Sequence, residues 1–163
     1  MTLFQRDFRP LAERMRPTEL SQVIGQRHLF KPGAPLEVAM RTGQVGSLVL
    51  HGPPGVGKTT IARLMAAAAQ MEFVSMSATS AGAAELREVI KEALRKHQLG
   101  RRTLLFLDEA HRWNKTQQDV LLPHMESGLL TVLGATTDYL IDPSCKCLYT
   151  PQSINLTCHA QEH

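Results

Sequence analysis

Short apolar runs alternate with amphipathic stretches through the middle of this chain. The apolar runs have the length of strands and cover residues 47–51, 73–77, 103–107 and 129–135. Runs that are apolar at nearly every position are typical of strands buried on both faces of a parallel sheet. The alternation therefore predicts an α/β fold in three layers, with a mostly parallel sheet between two layers of helices.

The intervals between the runs carry helical patterning and predict helices over residues 58–69, 84–97 and 115–126. In the second of these, apolar residues recur at the spacing that gives one buried face, namely Leu86, Val89, Ile90, Ala93 and Leu94. We expect Asn114 to cap the third helix and Pro123 to kink it or cut it short. A shorter helix ahead of the first strand is expected to open at Pro35 and to end at Gly43.

The segment after the first apolar run reads Gly-Pro-Pro-Gly-Val-Gly-Lys-Thr and matches the pattern G-x-x-x-x-G-K-[ST]. Between a strand and a helix, this pattern forms a loop that binds phosphate through backbone N–H groups. Lys58 is placed to reach the β- and γ-phosphates, and the Thr59 hydroxyl is placed to bind Mg²⁺. The sequence predicts a nucleoside triphosphate and Mg²⁺ as ligands, with the loop residues Gly52, Pro53, Pro54, Gly55, Val56, Gly57, Lys58, Thr59 and Thr60 in contact.

Two carboxylates follow the apolar run 103–107, at Asp108 and Glu109. In open α/β folds, ligands bind at the edge where the parallel strands end, so both side chains should reach the phosphate loop. Asp108 fits the carboxylate that holds Mg²⁺, and Glu109 fits the general base that polarises the attacking water. The two motifs together predict a nucleoside triphosphatase.

Composition limits the alternatives. With 163 residues, of which 43% are hydrophobic, the chain can build one core but has no room for a second full domain. The net charge of +3 and the pI near 8.9 permit nucleic acid as a partner without requiring it. The sequence has no apolar run long enough to span a membrane and no apolar stretch near its start. We therefore expect no membrane partner, and a cytoplasmic, nucleoid-associated protein in bacteria or a nuclear one in eukaryotes.

Further stretches carry a family resemblance. Ahead of the loop stand Arg-Pro at 16–17 and Ile-Gly-Gln at 24–26, and behind it stand the stretch 108–119 and Gly-Ala-Thr-Thr at 134–137. Together they resemble the clamp-loader branch of the AAA+ ATPases. More narrowly, they resemble the replication-associated recombination protein A family, whose eukaryotic members are the Werner-helicase-interacting ATPases. The resemblance extends from about residue 8 to residue 137 and ends after the sensor 1 strand.

This resemblance implies roles for residues outside the two motifs. Val23 and Ile24 match the segment that contacts adenine, and Arg16 lies close to it. Thr137 matches the polar sensor 1 position, with Thr136 as the alternative one residue earlier. A hydroxyl there could orient the attacking water. The expected catalytic residues are Glu109, Lys58 and Thr137.

The resemblance also implies partners. Full-length members act on DNA, so forked or single-stranded DNA is the expected partner through the full-length assembly, together with replication and repair proteins. The family forms homotetramers, which we do not expect for this chain because its sequence departs from the family pattern after Thr137.

Shortly after the two carboxylates, the sequence has an ionisable residue, His111, and an aromatic residue, Trp113, each of which could belong to the site or to the core. We interpret His111 as a packed or switch-adjacent residue rather than a catalyst, and Trp113 as a core residue rather than a cover for the site or a surface for stacking DNA. The letters Asp-Glu-Ala-His also name a class of helicases. In those enzymes Ser-Ala-Thr follows this motif, whereas here residues 77–79 precede it, so that class is excluded.

The chain divides into three predicted segments. Residues 1–43 carry the adenine-side motif, residues 44–137 form an incomplete AAA+ core, and residues 138–163 form a poorly ordered tail outside the family pattern. The family continues with an arginine finger, a fifth strand and a helical lid, so we expect a core that lacks the fifth strand and the lid. Residues 154–158 have some β-character, but Pro143 and Pro151 and the absence of a pattern argue against a replacement strand.

Two functions remain open at this point. The first is the ATP-binding core of a DNA-dependent ATPase of replication-fork maintenance and recombination, with weak hydrolysis in this chain. The second is a non-catalytic nucleotide-binding fragment. They differ in whether the chain releases phosphate from bound ATP.

Overall fold

The computed structural model describes residues 15–19, 22, 23, 25, 27–137 and 153–155, with only the backbone described at 27, 28 and 153–155. Its helices are α1 (Pro35–Thr42), α2 (Lys58–Ala68), α3 (Ala83–Gln98) and α4 (Lys115–Glu126). Its strands are β1 (Leu48–His51), β2 (Glu72–Ser77), β3 (Thr103–Asp108), β4 (Leu130–Thr136) and β5 (Ser153–Asn155). Two short 3₁₀ turns cover Arg27–Phe30 and Ala110–Arg112.

The five strands form one sheet in the order β2-β3-β4-β1-β5, and every neighbouring pair is parallel. Parallel neighbours need crossover connections, and α2, α3 and α4 lie in the chain where such connections are required. The predicted α/β class is confirmed. The four predicted strands and the three predicted helices agree with the structure to within one residue at each end.

Two hydrophobic cores lie on opposite faces of the sheet. Leu104 and Phe106 of β3 belong to the core that includes α2 residues, whereas Leu105 and Leu107 belong to the core beneath α3 and α4. Successive side chains of a strand point to opposite faces, so β3 is buried on both sides. This burial explains why the run 103–107 is apolar at every position but its first.

Local signals determine most helix ends as expected. Helix α1 opens at Pro35 and stops at Gly43, which has φ 68°. Asn114 caps α4 in a capping box with Gln117. Pro123 does not cut α4 short, because the helix continues to Glu126 after losing one backbone donor.

One predicted core position is wrong. Leu94 is 45% exposed, whereas Leu86, Ile90 and Ala93 of the same helix are buried. At about 100° of rotation per residue, Leu94 lies roughly 80° around the helix from Leu86, at the margin of the buried face. Trp113 is buried in the core on the α3 and α4 side, as interpreted from the sequence.

The expected absence of a fifth strand is also wrong. Strand β5 pairs in parallel with β1, with Leu50 opposite Ile154 and His51 opposite Asn155. Pro143 and Pro151 precede this strand in the sequence, so neither removes a donor from its ladder. Strand β1 is therefore paired on both sides, by β4 and by β5.

The remaining predictions about the tail concern sequence outside the described residues, and so does the expected absence of a lid. The limits drawn at 43 and 137 stay predictions. Within the described part of the chain, no helix has the length and apolarity needed to cross a membrane.

Candidate active site

The loop between β1 and α2 has a backbone that only glycine adopts readily. Gly55 has φ 77° and Gly57 has φ 98°, both in the left-handed region. A Cβ atom at either position would meet no atom within 4 Å, so backbone conformation and not space accounts for these two glycines. Helix α2 begins directly after Gly57, so its first N–H groups face the space above the loop.

Lys58 is held inside this loop. Lys58 is only 8% exposed. Its Nζ donates to the carbonyl oxygen of Gly52, at 2.6 Å, and to that of Pro53, at 3.0 Å. Carbonyl dipoles thus stabilise a positive charge that is largely removed from water. The ammonium group is fixed at the base of the loop.

The two carboxylates follow one another at the end of β3. Ala78 N–H donates to the Asp108 carbonyl at 2.9 Å, which fixes this end of the strand beside the end of β2. Glu109 N–H donates to Asp108 Oδ1 at 3.2 Å. Glu109 itself has φ 53° and ψ 42°, a left-handed conformation that is costly for any residue with a side chain. Such strain is common at functional sites, where the surrounding structure maintains it.

A cleft of about 560 Å³ lies above these residues, at the edge where the parallel strands end. Ligand sites in proteins commonly range over about 300–1,000 Å³, so the cleft is large enough for a nucleotide. Four separate chain segments contribute its lining: Met15, Arg16, Pro17, Pro54, Gly55, Gly57, Lys58, Thr59, Thr60, Asp108, Glu109 and Thr137.

Most predicted site residues meet in this cleft, but some do not. Gly52, Pro53 and Val56 shape the loop without appearing in the lining, and Val56 packs against the α2 core. Val23 is half-buried and is absent from the described lining, while Ile24 lies outside the described residues. Of the three residues predicted for the adenine side, only Arg16 is in the described lining, and adenine contact stays a prediction.

The two candidate sensor hydroxyls occupy different places. Thr137 lines the cleft, whereas Thr136 is 1% exposed and lies beneath it at the end of β4. The Thr136 carbonyl accepts a hydrogen bond from Gly52 N–H at 3.1 Å, so this residue fixes the start of the phosphate loop. Of the two candidate hydroxyl residues, only Thr137 lines the cleft.

The sequence did not predict that Met15 and Pro17 line the cleft or that His111 contacts Thr136. Met15 and Pro17 line the cleft on either side of Arg16, and their only signal was this adjacency. His111 contacts both Glu109, at 3.4 Å between Nε2 and Oε2, and Thr136, at 2.8 Å between Nδ1 and Oγ1. The sequence placed His111 near the switch but gave no sign of the second contact.

Another hollow, of about 360 Å³, lies between α3 and the β2 side of the sheet. Val74, Val89 and Ala93 contribute its apolar part, and charged residues of α3 surround it. None of its lining residues belongs to the phosphate loop or to the carboxylate pair. The cleft above the loop is therefore the candidate site.

The sequence and the fold both match known proteins. The model of the family described as "ATPase family associated with various cellular activities (AAA)" matches residues 48–146. Replication-associated recombination protein A of Escherichia coli K12 is 50% identical over 131 residues, which cover 80% of this chain and 29% of that protein. ATPase WRNIP1 of Dictyostelium discoideum is 44% identical over 134 residues, covering 82% of this chain and 15% of that protein. The resemblance inferred from the motifs is confirmed.

Among solved structures, the Thermotoga maritima RuvB Holliday junction branch migration motor superposes with a TM-score of 0.67 at 28% identity. The superposition covers 87% of this chain and 48% of that one. A single-residue variant of the same RuvB gives a TM-score of 0.69 at 26% identity. The chain spans less than a third of the two named relatives and about half of RuvB.

Proposed function

Because this chain belongs to the AAA family of ATPases, we propose that it binds ATP with Mg²⁺ in the cleft above the phosphate loop and hydrolyses it. The observation that best supports this proposal is the convergence of Lys58, Asp108 and Glu109 on one cleft, although about fifty residues separate the first from the other two. Chemically, this set offers a fixed cation, a metal ligand and a base.

Binding of the triphosphate is assigned to the loop and to the start of α2. The N–H groups there form an anion site at the positive end of a helix, and Lys58 adds a full charge. Arg16, with its neighbours Met15 and Pro17, is proposed to face the nucleoside, because these residues form a part of the lining that is separate in sequence from the phosphate loop and from the carboxylate pair.

The donor set fits a magnesium ion. The Thr59 hydroxyl and the Asp108 carboxylate both line the cleft, and hard oxygen ligands of this kind suit Mg²⁺. These two residues would hold Mg²⁺, which when bound neutralises charge on the phosphate oxygens. The hydrogen bond from Glu109 N–H to Asp108 Oδ1 fixes the orientation of the Asp108 carboxylate.

Hydrolysis is assigned to Glu109 acting as general base on water in the cleft. Its carboxylate is partly exposed to the cleft, and the left-handed turn at this residue directs the chain away from the strand. Thr137 is proposed to orient the same water or to contact the γ-phosphate. A positioned base contributes about 10²–10⁴ to the rate of such reactions.

The two named relatives are the basis for proposing a role beyond ATP hydrolysis. We propose that the protein acts in replication-associated recombination on forked or single-stranded DNA, with replication and repair proteins as partners, in the cytoplasm of bacteria or in the nucleus of eukaryotes. The names of the relatives support the role in replication-associated recombination. This chain spans 29% and 15% of the two named relatives, so the activity of the whole protein is part of the proposal.

Three variants test the assignment. Wild type should show a higher melting temperature with millimolar ATP and Mg²⁺, because a ligand that binds only the folded state stabilises it. Lys58→Ala should lose that shift. Glu109→Gln should keep the shift but release γ-phosphate about 10²–10⁴-fold more slowly.

The matched control is Glu88→Gln on α3, whose side chain is 76% exposed and lies away from the cleft. It should behave as wild type in both assays. Equal phosphate release by wild type and Glu109→Gln would contradict the catalytic proposal, and a persistent nucleotide-dependent shift would then favour the non-catalytic binding function.

A further inference from the structure

The Glu109 carboxylate is held by residues of the 3₁₀ turn that follows it. His111 Nε2 lies 3.4 Å from Glu109 Oε2, and Arg112 Nε lies 4.0 Å from the same oxygen. The Arg112 side chain is 62% exposed, so water screens its charge and its geometry is loosely set. The His111 side chain is only 15% exposed, so it is the firmer of the two contacts.

The other nitrogen of the same ring is also engaged. His111 Nδ1 lies 2.8 Å from the Thr136 hydroxyl, and Thr136 is buried at the end of β4. A ring with both nitrogens in contact cannot rotate without losing one of them. Because a hydroxyl can donate or accept, Thr136 can complete this contact whichever nitrogen of the ring carries the proton.

The contacts form a continuous path across the floor of the cleft. Gly52 N–H donates to the Thr136 carbonyl, the Thr136 hydroxyl bonds to His111, and His111 reaches Glu109. The path joins the first residue of the phosphate loop to the carboxylate on the next strand but one. Its last member, Glu109, has a left-handed backbone conformation that a residue with a side chain does not prefer.

We propose that His111 is a positioning residue, whose ring is anchored on Thr136 and sets the direction of the Glu109 carboxylate toward the attacking water. This inference rests on the proposed function, in which Glu109 accepts a proton from that water. His111 does not line the described cleft, so it acts on the rate of hydrolysis and not on the affinity for nucleotide.

The test measures nucleotide affinity and phosphate release separately. His111→Ala should slow release by about 10- to 100-fold, as expected for a misplaced catalytic group, while the dissociation constant for Mg-ATP changes less than about twofold. His111→Gln, whose amide can keep a contact with Glu109 or with Thr136, should recover part of the rate. His97→Ala, an exposed histidine at the end of α3, is the matched control and should leave both values unchanged.

A double-mutant cycle tests the anchor. Thr136→Val removes the hydroxyl at nearly constant shape and should slow release in the wild-type background but not in His111→Ala, because both changes break one path. Thr136→Ser should retain the rate. Equal release by His111→Ala and His97→Ala, or fully additive effects of the two substitutions, would overturn the inference.

A measurement without turnover separates this inference from the proposed function. If wild type releases no phosphate, the proposed function fails, and the contacts are judged by nuclear magnetic resonance alone. The Glu109 carboxyl resonance should then shift in both His111→Ala and Thr136→Val but not in His97→Ala. No shift in either variant would show that the path does not position the carboxylate.

Discussion

Among the described residues, two that are not glycine adopt a left-handed backbone conformation: Gln70 and Glu109, each with φ 53°. At Glu109 the conformation serves the site, because it places a carboxylate beside Asp108 and His111. Gln70 instead follows α2 on the exposed surface, where its N–H donates to the Ala67 carbonyl at 3.1 Å. The same backbone cost thus occurs once in the lining of the candidate site and once on the exposed surface.

Replacing Gln70 should therefore stabilise the protein. A left-handed conformation costs a non-glycine residue roughly 1–2 kcal/mol, and glycine offsets part of this gain through its larger entropy when unfolded. We expect Gln70→Gly to raise the free energy of unfolding by about 0.5–1 kcal/mol, measured by urea denaturation. Gly128→Ala, at the left-handed position after α4 with φ 73°, is the reciprocal control and should lower it. A loss of stability in Gln70→Gly would contradict this account.

At the same scale, the sequence predicted most of the residues that line the cleft. Lys58, Thr59 and Asp108 could be assigned from spacing alone, because each belongs to a short motif with a fixed structural context. The contact of His111 with Thr136 could not be assigned, since 25 residues separate them and nothing local marks either one. The left-handed backbone conformation of Glu109 could not be predicted either, because glutamate rarely adopts that conformation.

At the scale of elements, the start of α4 is fixed by two reciprocal hydrogen bonds. Gln117 N–H donates to Asn114 Oδ1 at 3.0 Å, and Asn114 N–H donates to Gln117 Oε1 at 3.1 Å. The amide of Gln117 also donates to the Ala81 carbonyl at 3.0 Å, just ahead of α3. One capping box thus links the two helices on the same face of the sheet.

Loss of this cap should destabilise the fold measurably. Asn114→Ala should lower the free energy of unfolding by about 1 kcal/mol, within a range of roughly 0.5–2 kcal/mol for such caps. Asn114→Asp, which can still accept from Gln117 N–H, should retain most of that stability. Chemical denaturation followed by circular dichroism distinguishes the two. An equal loss in both variants would mean that the cap is not the source of the effect.

Elements that carry a local signal in the sequence could be predicted, whereas features that depend on the surrounding structure could not. Asn114 signals a helix start through its own side chain, so the beginning of α4 was evident from the sequence. The effect of Pro123 was not, because a proline in the ninth position of a 12-residue helix removes one donor that the surrounding packing tolerates. The segment that contains β5 has some β-character but no strand pattern. Its pairing with β1 depends on a strand about a hundred positions earlier in the sequence.

At the scale of the whole molecule, β5 changes the expected solution behaviour. Without a fifth strand, β1 would be an exposed edge of the sheet, and unpaired edges promote nonspecific self-association. In the structure, β1 lies between β4 and β5, so its backbone groups are paired on both sides. Aggregation through this edge is no longer expected while β5 is in place.

Removal of the β5 ladder should restore that behaviour. In a strand, successive N–H groups point to opposite sides, so replacing both Ser153 and Ile154 with proline removes whichever donor faces β1. We expect a loss of about 1–3 kcal/mol in the free energy of unfolding, from melting curves, and concentration-dependent association in light scattering.

The matched control for this double change is Ser153→Ala with Ile154→Val, which keeps both N–H groups. It should remain close to wild type in melting temperature and in mass. If the double proline variant is equally stable and remains unassociated, the pairing of β5 with β1 contributes nothing to the fold.

Trp113 gives the protein an intrinsic fluorescence signal that comes from a single position. It is the only tryptophan in the sequence, and it is buried two residues after His111. Selectively excited indole emission therefore originates from one position, in the core beneath the turn that carries Glu109. The folding of this protein and events near its candidate site can thus be followed by intrinsic fluorescence, without a dye, from a buried residue four positions after Glu109.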